Sequence, residues 1–293
     1  MQVTGHGGAG AAGPAVAAGA AFFDLDKTII AGSSTLAFGR PFYQGGLVGR
    51  GAVLRSAYAQ LVVVLAGADE ARMERMRDYL ADLCRGWPAD RVQAIVDETL
   101  HELIAPLVHA EAVELIREHQ RSGRPVVVVS SSGEEVVAPI AAMVGADHVV
   151  STRMQVAGGR YTGAIERYVY GPRKATEMAA LAAEHGWSLA ASYAYSDSAT
   201  DLPMLEAVGH PVAVNPDRAL RRVAAARGWL VLAFERPVPL LPRPSRAGTG
   251  TAALLVLAGA LLVARRGVRT SAAAPRRSPV SRGRRARPQC SSA

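Results

Sequence analysis

Residues 21–28, Ala21-Phe22-Phe23-Asp24-Leu25-Asp26-Lys27-Thr28, form an apolar run that stops at two carboxylates. Side chains alternate along a strand, so Asp24 and Asp26 are predicted to project to one side while Leu25 faces the other. Two carboxylates about 4 Å apart repel by roughly 4 kcal/mol at an effective dielectric near 20. We therefore expect a cation at this strand end, and aspartate oxygens favour a hard one such as Mg²⁺.

A second buried strand is predicted for residues 125–129, Pro-Val-Val-Val-Val, because continuous valine is typical of strands covered on both faces. Ser130-Ser131-Ser132-Gly133 follows it, and a helix is predicted to begin near Glu134. Serine hydroxyls and loop amides in such a place can hold a phosphoryl oxygen. A serine run after a strand is also often only a turn or a helix cap, and both interpretations stay open at this point.

Two further segments place charged residues at the start of a helix and at the end of a strand. A strand and a glycine hairpin are predicted for residues 147–163. After them, a helix is predicted to begin with Gly171-Pro172-Arg173-Lys174 and to run to about His185, before the next strand. Residues 193–205 then read Tyr-Ala-Tyr-Ser-Asp-Ser-Ala-Thr-Asp-Leu-Pro-Met-Leu, with Asp197 ending the strand and Asp201 following four residues later.

In this order, the four segments resemble the motifs of the haloacid dehalogenase (HAD) superfamily of phosphohydrolases, specifically subfamily IB and its phosphoserine-phosphatase-like branch. The resemblance spans residues 21–234. It implies an α/β fold: a Rossmann-like three-layer core with a parallel sheet, and an all-helical C1-type cap inserted after the first motif strand. Helical periodicity in residues 51–66, 69–84 and 89–104 is consistent with such an insert, although a plain helical bundle would show the same periodicity.

The resemblance also implies the chemistry. Asp24 would attack phosphorus and form an aspartyl-phosphate, and Asp26 would protonate the leaving alcohol and later activate water. Mg²⁺ would be held by Asp24, the backbone carbonyl of Asp26, and Asp197. The implied reaction is hydrolysis of a small phosphomonoester.

Three other residue roles follow from the same resemblance. Ser130, Ser131 and Lys174 would bind the phosphoryl group, and Asp201 would orient Lys174 or a metal-bound water. Two alternatives stay open: a phosphomutase or phosphotransferase of the same superfamily, and a non-catalytic, membrane-tethered regulatory module.

One position departs from the phosphoserine-phosphatase pattern. Those enzymes have a glutamate nine residues after the nucleophile that helps to bind the substrate's amino group, and this chain has Ser33 there. A neutral hydroxyl cannot supply the missing charge, so O-phosphoserine is not expected to be the preferred substrate.

The charge balance places the basic excess in the C-terminal tail. Of 33 Lys and Arg residues, nine arginines lie in residues 265–293, which leaves 24 bases against 25 acids in the rest of a chain with net charge +8. The near-neutral body argues against a nucleic-acid partner. With Cys84 and Cys290 as the two cysteines, no disulfide framework is expected.

The domain organisation follows from composition and motifs. Residues 248–264 are uncharged and rich in Leu and Val, which predicts a single C-terminal membrane helix at the short end of the spanning range, next to a basic tail. The catalytic domain is expected to be cytoplasmic, and the oligomeric state is left open. The predicted parts are a disordered Gly/Ala-rich extension (1–19), the catalytic core (20–31 and 107–235), the helical cap (32–106), a Pro-rich linker (236–247), the membrane helix (248–264) and a disordered basic tail (265–293).

Overall fold

The computed structural model describes residues 18–49 and 70–235. Within them, seven strands form one sheet in the order β4-β3-β2-β1-β5-β6-β7. The strands are β1 (Ala21–Asp24), β2 (Val126–Gly133), β3 (His148–Ala157), β4 (Arg160–Arg167), β5 (Tyr193–Ser196), β6 (His210–Val214) and β7 (Leu230–Leu232). All neighbouring strands run parallel except β3 and β4.

The helices lie on both faces of this sheet, so the predicted three-layer α/β architecture is confirmed. Those described are α1 (Ser34–Ala37), α2 (Gly39–Gln44), α3 (Glu70–Leu83), α4 (Ala89–Ile104), α5 (Ala110–Arg121), α6 (Glu134–Val144), α7 (Pro172–Glu184), α8 (Leu202–Glu206) and α9 (Arg218–Arg227). Short 3₁₀ turns cover Ala105–Leu107, Leu189–Ala191 and Ala199–Asp201.

The alternation of side chains along β1 divides the core into two layers. Phe23 packs on the side that holds Ile116 of α5 and Ile140 of α6. Phe22 packs on the opposite side, with Met178 of α7. Since every residue of β1 is buried, the strand is apolar until Asp24 ends it.

β1 lies between β2 and β5, and the direction in which the chain adds strands reverses there. In the register, Asp24 lies beside Val129 of β2, and Phe23 lies beside Tyr195 of β5. Open parallel sheets bind ligands outside the carboxyl ends of the strands at such a reversal. The fold therefore brings the ends of β1, β2 and β5 to one edge.

Two predicted strand boundaries are wrong. β2 does not end at Val129 but continues to Gly133, with an irregular register against β3 beyond Ser130. The strand predicted before the glycine hairpin is not separate from it: β3 runs without a break from His148 to Ala157 and forms the first strand of that hairpin, with β4 as the second. Pairing with a neighbouring strand keeps both segments extended despite their polar composition.

The β3–β4 hairpin turns at Gly158 and Gly159, which both have positive φ. Its outer edge pairs with the loop between α3 and α4. Tyr161 donates its N–H to Trp87 O at 3.0 Å, and its carbonyl accepts from Gly86 N at 2.8 Å. Ala89 N donates to Gly159 O at 3.0 Å. The helices that follow β1 are thus joined to the sheet by backbone hydrogen bonds as well as by packing.

We use "helical segment" for the described part of residues 32–106, which contains α1 to α4. The helix predicted for residues 51–66 lies outside the described residues. So do the extension, the linker, the membrane helix and the tail. No helix in residues 18–49 and 70–235 has the length and apolar character needed to cross a membrane.

Candidate active site

Asp24, the last residue of β1, is buried and forms an ion pair with Lys174. Lys174 Nζ lies 2.6 Å from Asp24 Oδ1. The chain turns back sharply after the strand, and this brings Thr28 close to Asp24. Thr28 Oγ1 donates a longer hydrogen bond of 3.3 Å to Asp24 Oδ2. Within this turn Lys27 adopts a φ of 64°, which is uncommon for a residue other than glycine. The backbone thus places the carboxylate at the sheet edge with both oxygens engaged.

Lys174 reaches Asp24 because of how α7 begins. Gly171 has φ 54° and ψ −127°, a conformation that only glycine adopts readily, and Pro172 starts the helix. Lys174 then lies in the first turn with its ammonium buried, and it donates a second charge-assisted bond to Asp201 Oδ2 at 2.8 Å. Burial alone would lower the pKa of Lys174, but Asp24 and Asp201 outweigh it and raise the pKa above its usual value.

The site contains more negative than positive charge. Burial, together with nearby Asp201 and Asp197, raises the pKa of Asp24 to about 8, even though the ion pair with Lys174 opposes the shift. Burial also raises the pKa of Asp197 to about 6, against an opposing effect of Lys27. Each carboxylate is therefore harder to ionise than usual unless a further cation is present.

Asp197 and Asp201 come from the end of β5 and the turn that follows. Asp217 N donates to the backbone carbonyl of Asp197 at 2.7 Å, which fixes the chain there. Ser196 Oγ donates to Asp201 Oδ2 at 2.7 Å. Asp201 therefore accepts from a hydroxyl and from Lys174 on the same oxygen, so its carboxylate orients the ammonium.

Asp26 contacts different groups from Asp24. Its Oδ1 accepts a hydrogen bond from Ser34 N at 2.9 Å, and its Oδ2 lies 3.4 Å from Ser132 Oγ. Burial raises the pKa of Asp26, and the bond from the Ser34 amide opposes that shift. A raised pKa favours the protonated form that a general acid needs.

The three serines of β2 have different environments. Ser130 is buried, and its Oγ accepts from Ser132 N at 3.2 Å. Ser131 is exposed. Ser132 is buried and contacts Ser34 and Asp26, yet of this serine run only Ser130 and Ser131 were predicted as site residues. Only the contact to a residue 98 positions away distinguishes Ser132 from its neighbours, and no local pattern reveals it.

The donor set fits the predicted Mg²⁺. Asp24 and Asp197 offer carboxylate oxygens, Asp26 offers a backbone carbonyl, and hard divalent cations prefer such oxygens. A divalent ion would also lower both raised pKa values, because a nearby positive charge favours the ionised form of each buried carboxylate. Among the described residues, no three Asp, Glu, His or Cys side chains surround one point. The predicted site needs only two side chains, since a backbone carbonyl and water would complete it.

A cavity of about 480 Å³ lies between α3, β4 and the start of α7. None of the predicted site residues lines it. Its walls carry charges that are largely paired with each other: Arg77 with Asp78 at 2.7 Å, and Arg85 with Asp82 at 2.9 Å. Because three of these four side chains are exposed and all four charges are already compensated, the cavity gives no independent sign of a second binding site.

The comparison with known families identifies the family of this chain, and the matched region contains every predicted site residue. The model of haloacid dehalogenase-like hydrolases matches residues 21–206. The chain belongs to this family. The HAD resemblance stated from the motifs is thus confirmed.

The HAD relatives include proteins named for a phosphatase activity. A probable phosphatase of Mycobacterium tuberculosis H37Rv is 57% identical over 237 residues, which is 80% of this chain and 83% of that protein. A protein of Streptomyces azureus called inhibition of morphological differentiation protein is 61% identical over 225 residues, 76% of this chain and 81% of that one. This HAD protein is accordingly an enzyme of the phosphatase type.

Solved structures agree on the HAD fold. A Bordetella pertussis protein of unknown function is 30% identical, with a TM-score of 0.67, and the match covers 74% of this chain and 99% of that chain. A phosphoserine phosphatase with a phospho-aspartyl intermediate analogue has a TM-score of 0.55 at 20% identity, covering 75% of this chain and 95% of that one. At this identity the second likeness concerns the fold alone.

Proposed function

We propose that this HAD phosphatase is Mg²⁺-dependent and hydrolyses a small phosphomonoester through an aspartyl-phosphate on Asp24. The observation that supports this most is the buried Asp24–Lys174–Asp201 arrangement at the end of β1. It holds one carboxylate oxygen of Asp24 against a fixed positive charge. A nucleophile held in this way needs little reorganisation when an anionic phosphoryl group arrives.

In the first step, an oxygen of Asp24 forms a bond to phosphorus while the bond from phosphorus to the ester oxygen breaks. The bonding electrons stay with the ester oxygen, and the Asp26 carboxyl proton moves to it. The alcohol leaves, and Asp26 is then a carboxylate. The Lys174 ammonium stabilises the charge on the phosphoryl oxygens, and Ser130 and Ser131 provide neighbouring hydrogen-bond donors.

In the second step, Asp26 takes a proton from water as the water oxygen bonds to phosphorus. The bond between phosphorus and Asp24 breaks, inorganic phosphate leaves, and both aspartates return to their initial states. Mg²⁺, held by Asp24, Asp197 and the Asp26 carbonyl, would neutralise charge between the nucleophile and the phosphoryl group.

We further propose that the helical segment acts as the cap that selects the substrate. Its α1 lies against Asp26 through the Ser34 amide, so groups on this segment border the leaving-group side of the site. Ser33 is the N-cap of α1 and lacks the charge that an ammonium would require. This supports a phosphomonoester other than O-phosphoserine.

The experiment that tests the function is phosphate release from a panel of phosphomonoesters with purified protein, with and without Mg²⁺. A denaturing quench during turnover, followed by mass spectrometry, should find a phosphoryl adduct on Asp24. The adduct should accumulate under conditions where the second step limits product formation. Phosphate release without an adduct under those conditions would contradict the covalent route.

The same assay separates the two alternatives. A phosphomutase or phosphotransferase would move the phosphoryl group to an added sugar instead of releasing it. A regulatory module without activity, which the Streptomyces relative's printed name would also suit, would turn over no ester at all.

The membrane anchor in residues 248–264 stays a prediction, since that segment lies outside the described residues. Fractionation of cells followed by a carbonate wash tests it. Full-length protein that stays in the pellet supports a spanning helix, whereas release into the supernatant indicates peripheral binding through the tail arginines.

A further inference from the structure

Three hydroxyl side chains meet beside Asp26, from two parts of the chain. Ser34 Oγ of α1 donates to Ser132 Oγ of β2 at 3.0 Å. Thr35 Oγ1, also on α1, lies 3.2 Å from the same Ser132 oxygen. Ser34 and Ser132 are buried, so these bonds form away from competing water. Ser132 thus attaches the first turn of the helical segment to a central strand of the sheet.

The contacts to Asp26 differ in strength. The bond from Ser34 N to Asp26 Oδ1, at 2.9 Å, has an ordinary length for N–H···O, and a carboxyl oxygen can accept it in the protonated as well as in the ionised form. The 3.4 Å separation between Ser132 Oγ and Asp26 Oδ2 is long for a hydroxyl donor and contributes little by itself. The firm contact is therefore the Ser34 amide, and Ser132 is the residue that fixes the position of Ser34.

We propose that Ser132 and Ser34 are positioning residues for the leaving-group proton transfer: Ser132 holds Ser34, and the Ser34 amide aims the Asp26 carboxyl at the ester oxygen. This rests on the function proposed above. Neither serine gives or takes a proton in the reaction. The proton passes from Asp26 to the ester oxygen as the phosphorus–oxygen bond breaks, and the serines determine only whether the carboxyl points there.

This role makes a prediction that a purely structural role does not. An alkyl phosphate releases a strongly basic alkoxide and needs the proton, whereas p-nitrophenyl phosphate releases a stable phenolate and needs it far less. Misaligning Asp26 should therefore harm the alkyl substrate selectively. The quantity to measure is kcat/KM, because it reports the steps up to formation of the phosphoenzyme.

The test uses the full-length chain with p-nitrophenyl phosphate and the best alkyl phosphate of the panel. Ser132→Ala should lower kcat/KM for the alkyl ester by about tenfold or more, since general acid catalysis contributes 10²–10⁴-fold. It should change the value for p-nitrophenyl phosphate by less than about threefold. Ser122→Ala removes a hydroxyl at the end of α5 that bonds Glu118 O, and it should change neither value.

A second pair of variants isolates the amide. Ser34 is the first residue of α1, and Ser33 before it has extended backbone (φ −92°, ψ 123°), so a proline at position 34 suits both residues. Ser34→Pro deletes the N–H, while Ser34→Ala keeps it and removes only the hydroxyl. We expect the larger selective loss from Ser34→Pro. Because Ser132 acts through Ser34, Ser132→Ala combined with Ser34→Ala should lose no more than the worse single variant.

Equal losses on both esters, or no loss on either, would overturn the positioning role. If Ser132→Ala does not fold, the comparison of Ser34→Pro with Ser34→Ala decides by the same criterion. A wild-type protein that hydrolyses neither ester contradicts the proposed function itself, and with it any role of these serines in proton transfer. Wild-type activity with non-selective losses contradicts the positioning role alone.

Discussion

Asp24 and Lys174 lie 150 positions apart in the sequence and form a buried ion pair of 2.6 Å at the carboxyl edge of the sheet. The same ammonium binds Asp201, so one positive charge serves two carboxylates. Removing any one of the three groups changes the charge balance of the whole site. The first two predictions use this relationship.

Lys174→Met should abolish activity and destabilise the protein by on the order of 3 kcal/mol, because two carboxylates stay buried without their cation. Urea unfolding measures the loss. Adding Asp201→Asn to this variant removes one of the repelling charges and should recover part of the stability, but no activity. Equal stability of the single and double variants would show that the buried Asp201 carboxylate does not destabilise the fold when the ammonium is absent.

Asp24→Asn should abolish turnover of every phosphomonoester while leaving the fold intact, because the amide keeps the shape of the side chain but is not a nucleophile. Lys174 keeps Asp201 as its partner in this variant. Circular dichroism and phosphate release are the measurements. Asp90→Asn, at an exposed position on α4, is the matched control and should stay active. Substantial activity in purified Asp24→Asn would rule out the aspartyl-phosphate.

Mg²⁺ should raise the melting temperature at neutral pH, because binding to the folded state alone stabilises by about 2.7 kcal/mol at a concentration of 100 Kd. Asp197→Asn removes a predicted ligand and should suppress this shift, whereas Asp90→Asn should not. Calorimetric titration gives the same comparison without any substrate. If Mg²⁺ raises the melting temperature of Asp197→Asn as much as that of the wild type, Asp197 is not a metal ligand.

The free energy of unfolding should fall in acid because of the buried His119. Arg124 Nε donates to its Nδ1 at 2.8 Å, and Tyr195 Oη lies 2.7 Å from its Nε2. Burial first, and then Arg124, lower the pKa of His119 from 6.5 to about 4. Between these values only the unfolded chain binds the proton, so this contribution is complete above pH 6.5 and is lost as the pH falls toward 4.

The loss amounts to roughly 2 kcal/mol by about pH 4.5. Urea unfolding of His119→Gln and wild type near pH 7 and pH 4.5 measures it. The variant should lose this part of the pH dependence. His101→Gln, at an exposed histidine, should keep the wild-type difference. An identical pH dependence in all three proteins would mean that His119 is readily protonated in the folded state.

Ser33→Glu should improve kcat/KM for O-phosphoserine, because it restores a negative charge where phosphoserine phosphatases have one. The wild type should prefer another ester of the panel. Ser33 caps α1 through a 3.5 Å contact to Leu36 N, so the variant should lose about 1 kcal/mol or less of stability. Ser33→Ala loses the same cap without gaining charge and is the control. O-phosphoserine as the preferred wild-type substrate would contradict our interpretation of this position.

The sequence predicted those parts of the fold in which local composition and final environment agree. The apolar run before Asp24, the valines of β2 and the helix Ala89–Ile104 all appear as expected, because burial on both faces or on one stripe leaves a clear pattern. The D-x-D and D-x-x-x-D motifs then brought Asp24, Asp197 and Asp201 into one site hypothesis.

Other features could not be predicted because they depend on partners distant in sequence. Ser130 to Gly133 have weak strand propensity, and only pairing with β3 keeps them extended. Ser132 resembles any other serine until Ser34, 98 positions away, lies against it. His119 likewise shows nothing locally of its contacts with Tyr195 and Arg124.

The pairing of the β3–β4 hairpin with the loop between α3 and α4 defines what can be exchanged between relatives. A chimaera that replaces residues 32–106 alone would separate Gly86, Trp87 and Ala89 from their backbone partners at Gly159 and Tyr161. The transplanted segment would then face a hairpin whose register was set by another sequence. To transfer substrate preference from one relative to another, residues 32–106 and 148–167 should be moved together, as one graft made of two pieces.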